Sequence, residues 1–285
     1  MKFAKPIVIV SSCLEFDKVR YNGQVMPCSI VKELEPFATF IKVCPEYEIG
    51  LGVPRDPIRV VKKDGDYRLI QHNTNRDVTD EMNLFSDTFV NGIDQVDGFI
   101  FKSKSPTMGL KDIKVYSGMK GSPVVEKCGG FFAGKVTSNY KGYPIEDENR
   151  LRNNKIRDNF LTKLFLFARF RESKSLHKFH EENKLLLEFY KNDLSGVKED
   201  NYFENILTIM DRPPAVDQIL EFFHHLIGDD PILDRYKSNR IGFETLKELA
   251  KTKIDEELLT QTFFEPYPEE LRAEVENDRE RDYWK

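Results

Sequence analysis

The segment PIVIVSSCL (residues 6–14) is a short apolar run that ends in two serines and a cysteine. Its β-branched residues, bounded by a proline and by polar residues, predict a buried strand. Two later segments have the same form, FIKVCPE (residues 40–46) and GFIFKSKSPTMG (residues 98–109). Helical patterns lie between these runs, so we predict an α/β N-terminal domain with a mostly parallel sheet. The segment RVVKKDGDYRLI (residues 59–70) predicts a hairpin with KDGD as its turn.

The character of the chain changes near residue 146. Glycine becomes rare, and apolar residues repeat at helical spacing. Breakers such as DRPP and GDDP separate five predicted helices, at residues 155–174, 175–194, 201–210, 214–228 and 241–253. We therefore predict two domains, an α/β domain over residues 1–146 and an all-α domain over residues 147–285.

The bulk composition limits the classes of function. The net charge of −5 gives no overall basic field for nucleic acid, so local patches have to carry any such contact. The amino terminus lacks the form of a signal peptide, and no run approaches the roughly 20 apolar residues of a membrane span. We expect a cytoplasmic protein without membrane contact, and the sequence predicts no protein partner. Its four cysteines are then expected to be reduced.

Chemically capable side chains follow three of the predicted strands. They are Cys13, then Cys44 with Glu46, and finally Ser103, Ser105 and Met108. In an open parallel sheet, ligands bind beyond the carboxyl ends of the strands, so these tips are expected to share one crevice. Two thiols in a reducing compartment favour a soft metal. The alternative is that both cysteines are small apolar core residues.

The blocks SSCLEFDKVRYNG, VCPEYEIGLGVPR and FIFKSKSPTMGLKDIKVYSG resemble the thiouracil desulfidase family. The chain is similar to its two-domain members, whose YbgA-like helical domain has a stretch like FHEENKLLLEFY. The resemblance implies removal of sulfur from 4-thiouridine in tRNA, with a [4Fe-4S] cluster held by three cysteines. Cys13 and Cys44 match two of these ligands. Glu46 matches the acid–base carboxylate, and Ser105 matches the catalytic serine.

One position departs from the family pattern. Met108 stands where the SPSCG motif of the family has the third cysteine, and a thioether is a weaker ligand for a cluster iron than a thiolate. Cys128, which we predict in a Gly-rich loop, is the first candidate to replace it, and Cys28 is the second. Two alternatives stay open: a tRNA-binding protein that has lost its cluster and its catalysis, and an enzyme for free thiouracil.

Other residues are candidates for substrate contact. Arg55 follows a Gly-rich turn and could bind a phosphate or the uracil ring, or else form an ion pair with Glu46. Tyr21 could line the pocket. Ser105 could equally be an ordinary turn residue before proline.

A basic stretch favours contact with RNA phosphates. Residues 150–184 contain ten basic and four acidic side chains. Candidate contacts within it are Arg171, Lys174 and Lys178. A basic helix face that is only solvated is the alternative.

Overall fold

The computed structural model describes residues 3–173, 175–190 and 214–272. It divides the chain into two compact units. The N-terminal unit is Lys5–Arg152, and the helical unit is Met1–Ala4 together with Asn153–Lys285. The helix predicted over residues 201–210 and the charged tail over residues 274–285 lie outside the described residues.

The N-terminal unit alternates strands and helices along the chain. Its strands are β1 (Ile7–Ser11), β2 (Thr39–Val43), β3 (Ile58–Lys63), β4 (Asp66–Gln71), β5 (Gly98–Phe101), β6 (Ile113–Tyr116), β7 (Val124–Cys128) and β8 (Ile145–Asp147). Its helices are α1 (Ser29–Leu34), α2 (Pro45–Glu48), α3 (Thr79–Asn91) and α4 (Phe131–Asn139).

The first sheet has the order β2-β1-β5-β8, and all of its neighbours are parallel. Strand β1 lies in the middle, which explains its continuous apolar run: Val8, Ile9 and Val10 have no exposed surface. The register pairs Ser11 of β1 with Val43 of β2, so both strands end at the same edge. The predicted parallel α/β fold, and the predicted neighbourhood of the three strands, are confirmed.

The second sheet has the order β4-β3-β6-β7 and is mixed. Strands β3 and β4 form the predicted antiparallel hairpin. Its turn residues Asp64 and Gly65 both take positive φ, which suits aspartate and glycine. Strands β6 and β7 are absent from the prediction, because each is short and carries a charged residue among its apolar ones.

The helical unit contains helices α5 (Asn154–Glu172), α6 (Leu176–Phe189), α7 (Val216–Ile227), α8 (Pro231–Lys237), α9 (Phe243–Lys251) and α10 (Glu256–Leu259). Aromatic rings fill its core, where Phe189 contacts Phe222, Phe243 and Phe263 at centroid distances of 5.1–5.6 Å. The helical character of this region is as predicted. Across the described ranges, no helix combines the length and the apolar character needed to span a membrane.

Candidate active site

A cavity of about 960 Å³ lies in the N-terminal unit at the carboxyl ends of β1, β2 and β5. Cys13, Cys44, Glu46, Ser105 and Met108 all line it. A backbone hydrogen bond joins the ends of β1 and β2: the Ser12 N–H donates to the Val43 carbonyl oxygen at 2.9 Å. The fold thus places in one cavity five residues that the sequence spreads over about a hundred positions.

Glu46 is a buried carboxylate in the wall of the cavity and is only 7% exposed. One carboxylate oxygen accepts hydrogen bonds from Thr107 Oγ1 at 2.8 Å and from Ser105 Oγ at 3.5 Å. The other oxygen lies 3.8 Å from Arg55 Nη2 and accepts from Cys44 Sγ at 3.5 Å. Each oxygen therefore has hydrogen-bonding or charged partners, which holds a buried carboxylate in one orientation.

Burial is the main influence on the pKa of both cavity thiols. Burial and then the charge of Glu46 raise the pKa of Cys13 to about 11. The same two causes, in the same order, raise the pKa of Cys44 to about 12, although Arg55 opposes them. Burial thus favours the neutral form of both thiols.

Thr107 is a site residue that sequence reasoning missed. It is fully buried, it donates to Glu46, and its Oγ1 lies 3.0 Å from Ser105 Oγ. Its place two residues after Ser105 was the available signal, but a threonine after Ser-Pro is also common in turns. The hydroxyls of Ser105 and Thr107 thus form a short network on one side of the carboxylate.

The loop that carries Ser105 is fixed at its start by Glu148, a second residue that the sequence did not single out. Glu148 accepts hydrogen bonds from the Ser103 backbone N–H at 2.6 Å and from Ser103 Oγ at 2.7 Å. It also forms an ion pair of 2.5 Å with Lys102, which lines the cavity. At the other end of the loop, Ser105 Oγ accepts from the Met108 backbone N–H at 3.1 Å.

Arg55 and Tyr21 both line the cavity. Arg55 donates to the carbonyl oxygens of Val19 and Gly52, and its side chain is only 6% exposed. It is thus a buried partner of Glu46, which agrees with the ion-pair alternative. The Tyr21 carbonyl oxygen accepts from the Arg55 backbone N–H at 2.8 Å, whereas the residue itself is 45% exposed and accessible to a ligand.

The candidate substitutes for the third cluster cysteine lie elsewhere. Cys128 is the last residue of β7, so the predicted position in a Gly-rich loop is wrong. It pairs with Ile113 and packs on the apolar cluster around Val60 and Leu69. Cys28 precedes α1, as predicted, and its backbone N–H donates to Glu15. Neither cysteine is among the residues that line the cavity.

The basic stretch of the helical unit is less exposed than its charge suggests. Lys163 is only 3% exposed, and Arg169 donates to the carbonyl oxygen of Pro266. Of the candidate RNA contacts, Lys178 is exposed and lies 3.6 Å from Glu182, and Arg171 lies 4.0 Å from the carboxylate of the next residue. Lys174 is outside the described residues. RNA contact through this stretch stays a prediction.

The comparisons with known proteins concern the unit that contains this cavity. Residues 8–148 match the family model described as 2-thiouracil desulfurase. The match covers nearly all of the N-terminal unit, which is therefore similar to that family. A solved structure titled "[4Fe-4S]-dependent thiouracil desulfidase TudS" shares 25% sequence identity over 52% of this chain and 94% of its own chain, with a TM-score of 0.38. A TM-score this low supports no statement about the site. None of the curated proteins matches this sequence.

The donor set of the cavity does not fit the cluster that the resemblance implies. Such clusters are held by cysteine thiolates, and this cavity offers two thiols and the thioether of Met108. Among the described residues, no group of three histidine, cysteine or acidic side chains is placed to hold a metal ion.

Proposed function

We propose that the N-terminal unit is a desulfidase that replaces the thiocarbonyl sulfur of a thiolated uracil ring by oxygen from water. The observation that carries this proposal is the orientation of Glu46 by two hydroxyls and a guanidinium, inside a cavity large enough for a pyrimidine nucleotide. The family match of residues 8–148 supports the same reaction. The net reaction consumes one water and releases one hydrogen sulfide, without electron transfer.

Glu46 is the proton carrier in this proposal. A water attacks the thiocarbonyl carbon and transfers a proton to the carboxylate as the new C–O bond forms. The tetrahedral centre then collapses to the carbonyl, the C–S bond breaks, and the proton returns to the departing sulfur. The remaining proton of the attacking water follows, which completes hydrogen sulfide. General acid–base help of this kind contributes about 10²–10⁴-fold to a rate.

The neighbours of Glu46 orient that carboxylate and do not react. Thr107 and Ser105 hold one of its oxygens, so in this proposal the proton of the water goes to the other oxygen, which accepts the 3.5 Å contact from Cys44 and lies 3.8 Å from Arg55. Ser105 lines the cavity, and its hydroxyl can turn from Glu46 to the ring carbonyl of a bound base. Nucleophilic attack by either cysteine is not part of the proposal, because burial raises the pKa of both thiols.

The walls of the cavity favour a substrate that carries phosphate. Basic side chains line it in excess of acidic ones, although the whole chain has a net charge of −5. The cations not already described as partners of Glu46 or Glu148 are Arg20, Arg59, Lys104, Lys114 and Lys127, of which Lys127 forms an ion pair with Asp112 at 3.0 Å. A phosphate on the sugar of a thiolated uridine would meet such a wall, whereas free thiouracil would not use it. We therefore propose 4-thiouridine in a nucleotide or in tRNA as substrate, with the helical unit contributing RNA contacts.

A second candidate function is binding without catalysis. Met108 favours it, because the missing thiolate removes the ligand set of the enzyme family that the sequence resembles. A protein of this kind would bind thiolated tRNA and release no sulfide.

Sulfide release tests these proposals directly. We expect sulfide from 4-thiouridine monophosphate and from thiolated tRNA, and slower release from free 4-thiouracil. Glu46→Gln should lower the rate by about 10²–10⁴-fold. Glu48→Gln is the matched control, because Glu48 lies on the same helix and is exposed. Tight binding of thiolated tRNA without any sulfide would establish the second candidate and refute the first.

A double variant tests the contribution of the helical unit to the reaction on tRNA. Charge reversal of Lys174 and Lys178 should slow the tRNA reaction and leave the mononucleotide reaction unchanged. Equal rates on tRNA before and after this change would remove the helical unit from the proposal.

A further inference from the structure

We infer that Met108 decides the cofactor state of this cavity: the chain as it stands holds no [4Fe-4S] cluster, and a thiol at that one position would complete a cluster site. The inference concerns the site of the proposed function, and it rests on that proposal only for the role that the site has. Its readout is iron content, so it succeeds or fails independently of sulfide release.

Met108 occupies its position as an apolar core residue. It is only 3% exposed and belongs to the cluster formed with Val43, Phe101 and Phe132, while it also lines the cavity. Its thioether is neutral and has no proton to lose, so it cannot replace a thiolate in charge or in strength of iron binding. Met108 thus forms part of the cavity wall by apolar packing. A cluster would need its third thiolate ligand at this position.

No other cysteine can replace the missing ligand. All four cysteines lie in described parts of the chain, and only Cys13 and Cys44 line the cavity. Cys128 packs against Ile113 in the apolar cluster of the second sheet and is not among the residues that line the cavity. Cys28 is buried before α1, its backbone N–H donates to Glu15, and it does not line the cavity.

Backbone hydrogen bonds hold the segment around residue 108, so a substitution there changes the side chain and leaves the Cα atom in place. The Gly130 N–H donates to the Gly109 carbonyl oxygen at 2.7 Å, and the Ala133 N–H donates to the Thr107 carbonyl oxygen at 2.9 Å. The Gly109 N–H donates to the Ser105 carbonyl oxygen at 2.9 Å. A cysteine side chain at this position starts from the same Cα and therefore faces the cavity wall that Met108 now forms.

Anaerobic reconstitution with ferrous iron and sulfide tests the inference. The proteins are the wild type, Met108→Cys and Met108→Ser, the last being matched to Met108→Cys in size but without a thiol. After removal of unbound iron, we expect about four irons per chain only in Met108→Cys, with the broad absorbance of a [4Fe-4S] cluster. Adding Cys44→Ser to Met108→Cys should abolish that iron.

Each result of the iron count decides one part of the inference. About four irons bound by the wild type would overturn it, because a thioether would then suffice. A folded Met108→Cys protein that gains no iron would also overturn it, because the three side chains would not converge. Thermal melting of every variant shows that an iron-free result comes from a folded protein. A wild type that is iron-free and releases no sulfide would refute the proposed function and support this inference.

Discussion

Thr107 provides the sharpest test of how the cavity holds its carboxylate. Thr107→Val keeps the shape of the side chain and removes the hydroxyl that donates to Glu46 at 2.8 Å. The carboxylate oxygen then keeps only the longer 3.5 Å contact with Ser105. Because Glu46 is 7% exposed and Thr107 is fully buried, water cannot easily take the place of the lost donor.

The expected magnitude follows from this geometry. A hydrogen bond to a charged group contributes about 1.5–3 kcal/mol, so Thr107→Val should lower the free energy of unfolding by about that amount. Urea denaturation of the metal-free protein measures this change. The loosened carboxylate should also slow sulfide release from 4-thiouridine monophosphate by about tenfold or more, since each 1.4 kcal/mol is a factor of ten.

Two further variants separate this interpretation from a general effect of losing a threonine. Thr107→Ser keeps the donor and should retain most of the stability and of the rate. Thr88→Val is the control, because Thr88 is exposed and its hydroxyl bonds only to the Leu84 carbonyl oxygen of its own helix. If Thr107→Val is as stable and as active as the wild type, the hydroxyl network does not position Glu46 and the reasoning is refuted.

The remaining predictions concern packing and pH. Gly130→Ala should lower the unfolding free energy by about 1–3 kcal/mol, because its Cβ would lie 2.4 Å from the Thr107 carbonyl oxygen. Gly134→Ala, inside α4 with open space around the new Cβ, should instead raise it by about 0.5–1 kcal/mol. Burial and then Glu244 raise the pKa of Asp158 to about 6, so the native state binds the extra proton and stability falls as pH rises from about 4 to 6. Asp158→Asn should flatten this part of the stability profile in urea melts at several pH values, and an unchanged slope would contradict it.

The amino-acid sequence by itself determined the parallel sheet and the location of the site. The apolar, β-branched run of β1 predicted a buried strand, and the helical patterns between the runs predicted a mostly parallel sheet. Once β1, β2 and β5 are parallel neighbours, their carboxyl ends meet, which brings Cys13, Cys44 and Ser105 together. This result needs only local patterns and one topological rule.

The tertiary structure alone decided which side chains complete the site. Thr107 meets Glu46 across 61 positions of sequence, and Glu148 meets Ser103 across 45. Such contacts depend on how loops from separate strands pack, and no local period encodes them. The same holds for Cys128, whose place at the end of β7 and in the apolar cluster of the second sheet was not predicted. Strand ends are set by patterns along the chain, whereas partners across a cavity are set by long-range packing.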